Sequence, residues 1–237
     1  MPLIALGLVC SLQLFAQNGI SQSPKLELGL QVGVTEFLGD LGGGAGEGRP
    51  FILDTDWKFS RPLIGLYAKK HFNSWFAASA NLNFTMLKGS DSETTNPGRS
   101  ARDLEFKSNV FELYGLMHIQ PLNFGKFGLH ANLGVGAFAY NPQTNTENPN
   151  ENTRNSKIQA MFPMGMGMSY MLNKNIVLGM DIMHRVTLTD DIDGYVYEGT
   201  DSNDSFYSLI FKVGYVFGGG GKGMGRGNEF GCPSQAF

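Results

Sequence analysis

The chain has 237 residues, a length at which an all-β barrel is usually one domain. Its formal net charge of −3 removes the electrostatic reason to expect nucleic acid as a partner. Because no stretch beyond the N-terminus reaches the roughly 18 apolar residues of a spanning helix, the chain would cross a membrane only as a closed barrel.

The first segment, residues 1–16, predicts a signal peptide. An apolar run over residues 3–9 is followed by Leu14-Phe15-Ala16, with cleavage expected after Ala16. Lipidation of Cys10 is the alternative, but Gly7-Leu8-Val9 lacks the usual order before such a cysteine. Cleavage leaves Cys232 alone, and therefore no internal disulfide is predicted.

The next residues alternate between apolar and small or polar side chains, which predicts β-strands. The first strand covers residues 25–40, the second 61–72 and the third 75–88, and the turn at 71–74 makes a hairpin of the last two. A fourth strand at 104–119 changes the parity of its apolar residues near Ser108 to Val110, which predicts a bulge there.

The second half continues the pattern. After a short turn at 121–125, a fifth strand begins at Phe127 and alternates through Ala139. A sixth strand is predicted over 158–170, with a local break or bulge at Pro163 because proline lacks an N–H. Another short turn, 172–175, precedes the seventh strand at 176–187 and the eighth at 205–217.

Three short turns therefore alternate with four long polar loops, at 39–56, 89–102, 141–157 and 190–204. This asymmetry favours an all-β, eight-stranded antiparallel up-and-down transmembrane β-barrel over residues 17–217, with the short turns and both termini in the periplasm. A soluble lipocalin-like barrel is the alternative, with its apolar face turned inward around a ligand. Residues 218–237 are predicted to be a flexible Gly-rich tail.

The polar parity predicts the barrel interior, which is too narrow in an eight-stranded barrel for anything but side chains. We expect a packed polar core in which every charge is paired, with Arg185 bridged to Glu112 or Asp181. Exposed rings near the short turns are expected to form an inner aromatic girdle. The predicted interior polar residues are Glu27, Glu112, His130, Asp181, Arg185 and Lys212, and the predicted girdle residues are Trp75, Phe127, Tyr170, Tyr215 and Phe217.

No pattern points to catalysis or to a cofactor. The acidic residues from Asp190 to Asp204 do not fit the spacing of a calcium loop, and a solvated loop is the better interpretation. His130 has no His or Cys at ligand spacing, which favours a hydrogen-bonded interior residue over a metal ligand. Serines occur without the Gly-x-Ser-x-Gly elbow. We therefore predict a protein that is not an enzyme and binds no metal.

Four local motifs go beyond the general pattern of a barrel: Phe37-Leu38-Gly39-Asp40-Leu41, the run 102–108 with Glu112, Asn141-Pro142, and the run 185–193 with Tyr195-Val196. Together they resemble the PorG-type outer-membrane barrels of the type IX secretion system. The motif residues carried over are Gly39, Asp40, Phe106, Ser108, Asn141, Pro142, Thr187, Thr189, Asp190 and Asp193.

This resemblance implies a structural role in the bacterial outer membrane. The barrel would anchor a periplasmic ring of PorK-like lipoprotein and PorN-like subunits through its short turns and through the N-terminal segment or the tail. The turn residues expected to make these contacts are His71, Asn73, Asn123, Asn173 and Lys174. A stand-alone barrel for envelope stability or adhesion, similar to OmpA or OmpX, remains the alternative.

Overall fold

The computed structural model describes residues 25–38, 60–90, 105–144, 158–189, 192 and 203–217. The predicted signal peptide, the Gly-rich tail, most of the four long loops and the motif residues Gly39, Asp40, Asp190 and Asp193 lie outside the described residues.

Eight strands form a closed barrel in which each strand pairs antiparallel with its neighbours in sequence and β1 pairs with β8. The predicted fold class is thereby confirmed. The strands are β1 (Lys25–Leu38), β2 (Arg61–His71), β3 (Phe76–Ser90), β4 (Glu105–Phe124), β5 (Phe127–Thr144), β6 (Ile158–Met171), β7 (Ile176–Thr187) and β8 (Ser205–Phe217).

No helix in the described part of the chain is both long and apolar enough to cross a membrane.

Alternate residues of each strand point into and out of the barrel, as the two-residue period requires. In β1, Leu28, Leu30 and Val32 are exposed on the outside, whereas Glu27 and Gln31 are buried within. The same inside and outside assignment holds for β8, where Phe211, Val213, Tyr215 and Phe217 face outward.

The bulge predicted near Ser108 to Val110 is wrong. Phe106, Ser108, Val110 and Glu112 all lie on the inner face without a break in register. The parity of the apolar residues changes in this part of β4 for another reason. Near the long loops the interior of the barrel is itself apolar, so that inward positions also hold apolar residues. The irregularity in β4 lies instead between Ile119 and Leu122.

The turn predicted at 121–125 is shorter than expected. Both strands continue to the pair Phe124 and Phe127, and the chain reverses at Gly125 and Lys126. Gly125 has φ of 65°, a left-handed conformation that glycine adopts without steric cost. Asn123 is therefore a strand residue, and His71, also predicted in a turn, is the last residue of β2.

The other two short turns share one local structure. The side-chain oxygen of Asn73 accepts hydrogen bonds from the backbone of Trp75 and Phe76 at 3.0 and 2.7 Å. Asn173 does the same for the backbone of Asn175 and Ile176, both at 2.9 Å. Asparagine favours such turns because its side chain replaces a backbone acceptor.

Pro163 interrupts the pairing of β6 with β5. Leu133 pairs with Met164 and Gly136 with Met161, but the two positions between them are unpaired. The register is the same on both sides, and therefore the proline breaks the ladder locally without a bulge.

Candidate functional site

The outer surface of the barrel carries a belt of exposed apolar side chains. Along β4 they recur at Phe111, Leu113, Met117 and Ile119, with exposures of 49–62%. The strand from Phe111 to Ile119 has nine residues. At about 3.4 Å each and a tilt of about 40°, it covers roughly 20 Å of the membrane normal. A continuous apolar surface of this size is stable only when hydrocarbon covers it.

Aromatic rings border this belt at the end of the short turns. Trp75, Tyr170, Tyr215 and Phe217 are exposed by 43–48%, and Phe127 is half-buried. The rings of Tyr215 and Phe217 lie 4.9 Å apart in an edge-to-face arrangement. Rings in this position are typical of the boundary between hydrocarbon and water.

The interior near the long loops is filled by apolar side chains. We call this cluster the outer plug. Phe37 packs edge-on against Phe106 with ring centroids 4.7 Å apart, and Phe138 packs against Phe206 at 6.1 Å. The buried members of the outer plug are Leu63, Leu87, Phe106, Val110, Tyr114, Leu116, Phe138, Tyr140, Met161, Met183, Ile192, Phe206 and Ile210. The expectation of a polar core throughout is therefore wrong at this end.

Arg185 lies fully buried beneath the outer plug. Its Nε is 3.1 Å from Glu112 Oε1, and its Nη2 donates to Glu112 Oε2 at 3.2 Å. Nη1 donates to Ser208 at 2.7 Å, and the Phe206 ring centroid lies 5.4 Å from the guanidinium. Asn83 donates a further hydrogen bond to Glu112 at 2.9 Å. Of the two partners expected for Arg185, the structure selects Glu112.

Asp181 organises a second group of polar residues closer to the short turns. His130 Nε2 lies 2.9 Å from one carboxylate oxygen. The other oxygen accepts from Lys212 Nζ at 2.5 Å and from Asn132 at 3.3 Å. Asp181 is completely buried, and Lys212 neutralises its charge by direct contact.

Glu27 forms the third group, at the level of the short turns. Its Oε1 accepts from the Tyr67 hydroxyl at 2.5 Å, and its Oε2 lies 2.9 Å from His71 Nε2. Tyr67 lies against Gly29 and Gly214, where a methyl group would meet the phenol ring or its oxygen at 2.5 and 2.3 Å. The interior polar residues predicted from sequence thus occupy three levels along one axis.

A small cavity opens from the Glu27 level towards the short turns. We call it the inner pocket. Its volume is about 30 Å³, enough for two or three non-hydrogen atoms or water molecules. The residues on its wall include Glu27, Lys69, His71, Gln120, Asn123, Lys126, Gly128 and Ser169.

Sequence reasoning did not single out Lys69, although the signal was present. It has the same parity as Leu63 and Tyr67, opposite to the outward Ile64 and Leu66. Its side chain is only 8% exposed. A lysine on the inward parity of a strand predicts a buried ammonium, but not the cavity beside it.

Hydrogen bonds tie each short turn to the end of a neighbouring strand. Gln120 donates from its backbone N to Trp75 O at 2.8 Å, and Met171 N donates to Lys126 O at 2.8 Å. Asn175 and the backbone of Val216 exchange hydrogen bonds of 3.0 and 2.7 Å. This end of the barrel is therefore a connected platform, which we call the inner rim (residues 71–76, 120–127, 171–176 and 216).

The inner rim and the strand ends beside it are basic. Lys70, Lys126 and Lys174 are exposed, and Lys25 is half-buried at the start of β1. Among the described residues at this end, the acidic side chain is Glu27, which is 3% exposed and faces inward. The turn residues Asn73, Asn173 and Lys174 are exposed at the inner rim, whereas His71 and Asn123 turn towards the inner pocket.

The residues of the family resemblance lie at the opposite end. Phe106 belongs to the outer plug, and Ser108 is buried close to it in β4. Thr187 donates to the backbone oxygens of Asp204 and Thr189 at 2.6 and 3.2 Å. Asn141 is exposed and Pro142 half-buried near the end of β5. The described motif residues therefore shape the end of the barrel that carries the long loops.

Asp204 holds Ile192, from the last long loop, within the outer plug. Its carboxylate accepts from Ile192 N at 2.9 Å, which places the Ile192 side chain in the apolar cluster. The sequence assigned all of 190–204 to a solvated loop, and for Ile192 and Asp204 that is wrong. Both are buried because the loop returns its apolar residue to the barrel.

A serine and a histidine come together inside the barrel without forming an open site. Ser79 Oγ lies 2.8 Å from His118 Nε2, but their exposures are 7% and 2%. A nucleophile needs access for its substrate, which this packing does not provide. Within the described residues, no group of three His, Cys, Asp or Glu side chains is arranged to hold a metal ion.

A closed antiparallel barrel with an apolar outside, an aromatic border and buried polar groups inside defines an eight-stranded transmembrane β-barrel. The chain belongs to the family described as "Domain of unknown function (DUF6089)", whose model matches residues 7–221.

Solved structures with a similar fold include small outer-membrane proteins. Ail, the attachment invasion locus protein of Yersinia pestis, is 9% identical with a TM-score of 0.46 and covers 83% of this chain and 100% of its own. A major outer membrane protein of Thermus thermophilus is 13% identical with a TM-score of 0.46, at 81% and 99% coverage. OprG of Pseudomonas aeruginosa is 12% identical with a TM-score of 0.44, at 83% and 97% coverage. No curated protein matches the sequence.

Proposed function

We propose that this chain is a non-enzymatic barrel of the bacterial outer membrane that anchors a periplasmic assembly through its inner rim. The assembly expected from the resemblance to PorG-type barrels is the ring of the type IX secretion machinery, built of a PorK-like lipoprotein and PorN-like subunits. Short turns of outer-membrane barrels face the periplasm, which puts the inner rim on the side of such a ring.

The observation that carries this proposal is that the described interior of the barrel is filled with side chains, whereas its ends are accessible to a partner. The described interior holds the outer plug and three paired polar groups, which leaves no continuous path for a solute. A partner would therefore bind at one of the two ends of the barrel. Of these, the inner rim is ordered by hydrogen bonds that tie each short turn to a neighbouring strand, and it carries exposed basic and aromatic side chains.

Purification from native membranes tests the proposal. A tagged chain extracted in mild detergent is expected to carry a periplasmic lipoprotein in stoichiometric amount, identified by mass spectrometry. Charge reversal at the inner rim, Lys126→Glu with Lys174→Glu, is expected to lower the yield of the partner severalfold. The matched control is Lys107→Glu, an exposed lysine at the other end of the barrel. A barrel that always purifies alone contradicts the proposal.

The second candidate is a stand-alone barrel that acts through its long loops in envelope stability or adhesion. It is favoured by the way Asp204 and Ile192 tie the last loop to the outer plug, since a fixed loop base suits an outward binding surface. This function predicts a barrel that purifies alone and a defect in adhesion or envelope integrity when the loop 190–203 is shortened.

A further inference from the structure

The buried ammonium of Lys69 distinguishes the inner pocket from the rest of the interior. Of the other two interior cations, Arg185 contacts Glu112 and Lys212 contacts Asp181. Among the described residues no carboxylate lies within 4 Å of the Lys69 ammonium. Glu27 pairs with Lys69 in the β1–β2 register and lies beside it, but the two carboxylate oxygens of Glu27 bind Tyr67 and His71. A largely buried ammonium that makes no direct contact with a carboxylate favours an anion beside it in the inner pocket.

The other walls of the inner pocket suit a small, flat anion. Ser169 lies across from Lys69 and contributes a hydroxyl that can donate. Gln120 and Asn123 line the side towards the turn and are fixed by hydrogen bonds to each other and to Ser74. Lys126 stands at the opening. A volume of about 30 Å³ admits the three heavy atoms of a carboxylate but not a sugar or a nucleotide.

We propose that the inner pocket is a receptor for a carboxylate supplied by the partner protein at the inner rim, from an acidic side chain or a chain terminus. This inference rests on the proposed function and specifies its chemistry. The basic side chains Lys25, Lys126 and Lys174 around the opening give the same preference for an acidic partner surface. Lys69 then supplies the buried charge that fixes the position of that surface.

Acetate is the probe for the inner pocket itself. The refolded, ¹⁵N-labelled barrel in zwitterionic detergent is titrated with acetate against chloride at constant ionic strength, and the amide signals of Gly125 and Gly128 are followed. Wild type is expected to show saturable shifts. Lys69→Met is expected to weaken acetate binding about tenfold or more, because the charged hydrogen bond is lost.

Lys70→Met is the matched control, since it removes the same charge one residue away on the outer face of β2. It is expected to retain acetate binding within about twofold. A second variant, Ser169→Leu, fills the inner pocket from the opposite wall and should abolish the shifts without removing a charge. A retained heat-induced gel shift shows that each variant is folded. Linear, unsaturable shifts, or equal shifts in wild type and Lys69→Met, overturn the inference.

The lipid composition of the membrane tests whether the anion in the inner pocket is a lipid phosphate or a protein carboxylate. In nanodiscs, replacement of phosphatidylcholine by phosphatidylglycerol is expected to leave the Gly125 and Gly128 signals unchanged. If phosphatidylglycerol shifts them in the absence of acetate and competes with acetate, the site takes a lipid phosphate and the inference is overturned.

Co-purification separates this inference from the proposed function. If the lipoprotein is retained by Lys70→Met but lost from Lys69→Met, both stand. If it is retained by both variants, anchoring stands and the carboxylate receptor fails. If no lipoprotein is recovered from wild type while acetate binds as expected, the inner pocket is an anion site and the anchoring function fails.

Discussion

At the scale of single residues, Arg185 is the side chain on which the interior depends most. It is fully buried, and its contacts reach Glu112 in β4, Ser208 in β8 and the ring of Phe206 in the outer plug. Replacement by methionine leaves the Glu112 charge buried without its partner, which costs about 3–5 kcal/mol. We therefore expect Arg185→Met to lower the free energy of unfolding in detergent micelles by about this amount.

Urea titration followed by tryptophan fluorescence or by the heat-induced gel shift measures this change. The double variant Arg185→Met, Glu112→Leu is expected to recover most of the loss, since neither charge remains. Lys107→Met, at an exposed position of β4, is the control and should change stability by less than about 0.5 kcal/mol. A single variant as stable as wild type would show that the pair contributes nothing.

Tyr67 requires small residues at the positions that its side chain packs against. Its ring and hydroxyl occupy the room left by Gly29 on β1 and Gly214 on β8. In Gly214→Ala the new methyl group meets the tyrosine oxygen at 2.3 Å and Glu27 Oε1 at 2.6 Å. We expect a loss of about 1–3 kcal/mol in unfolding free energy.

Gly115→Ala is the matched control for Gly214→Ala. Gly115 faces outward on β4, and a methyl group there meets nothing closer than 3.8 Å. Removal of a strand glycine without a clash should leave the stability unchanged or raise it slightly. Equal losses in the two variants would assign the effect to the strand backbone and not to Tyr67.

At the scale of elements, the two asparagine turns explain why the short connections are fixed. Asn73 and Asn173 each accept two backbone hydrogen bonds within their turn. Asn173→Ala removes both acceptors of one turn, and we expect a loss of about 1 kcal/mol of stability with little change in secondary structure. Amide exchange in Asn175 and Ile176 should rise while that in β8 remains unchanged. Lys174→Ala, which keeps the asparagine, is the control.

The strands were predictable because contact with lipid hydrocarbon determines which residue types occupy their outer face. Hydrocarbon requires apolar side chains at every second residue, and hence the bounds of β7 and β8 agree with the prediction. The inner face has no such rule. The outer plug places Phe106 and Val110 inside, so that apolar residues stand on both parities of β4, and this pattern predicts a bulge that the structure does not contain.

Pairing inside the barrel was predictable only in part. That Arg185 needs a carboxylate follows from burial, but the choice of Glu112 over Asp181 depends on register and height, which the sequence does not contain. The inner pocket was not predicted because the irregularity between Ile119 and Leu122 and the reversal at Gly125 create it. Neither feature has a periodic signal.

At the scale of the whole molecule, the belt of exposed apolar residues makes a prediction about depth. Nitroxide labels at Leu113 and Val135, each more than 60% exposed in the middle of its strand, should be accessible to oxygen and protected from a water-soluble nickel reagent. A label at Lys107, outward on the same strand but near the long loops, should show the reverse. If the labels at Leu113 and Val135 report water, the outer face is not in contact with lipid, and the barrel is a soluble one.

The orientation of the barrel is the property on which anchoring depends, because the inner rim reaches a periplasmic partner only if the short turns face the periplasm. Single cysteines at Lys174, on the inner rim, and at Gln143, exposed near the end of β5, report the two sides. They are placed in a chain whose Cys10 and Cys232 are replaced by serine. In intact cells a membrane-impermeant maleimide should label position 143 and not 174, and permeabilisation should expose 174 as well. The opposite pattern would put the inner rim, with its lysines and the inner pocket, outside the cell, where no periplasmic ring could reach it.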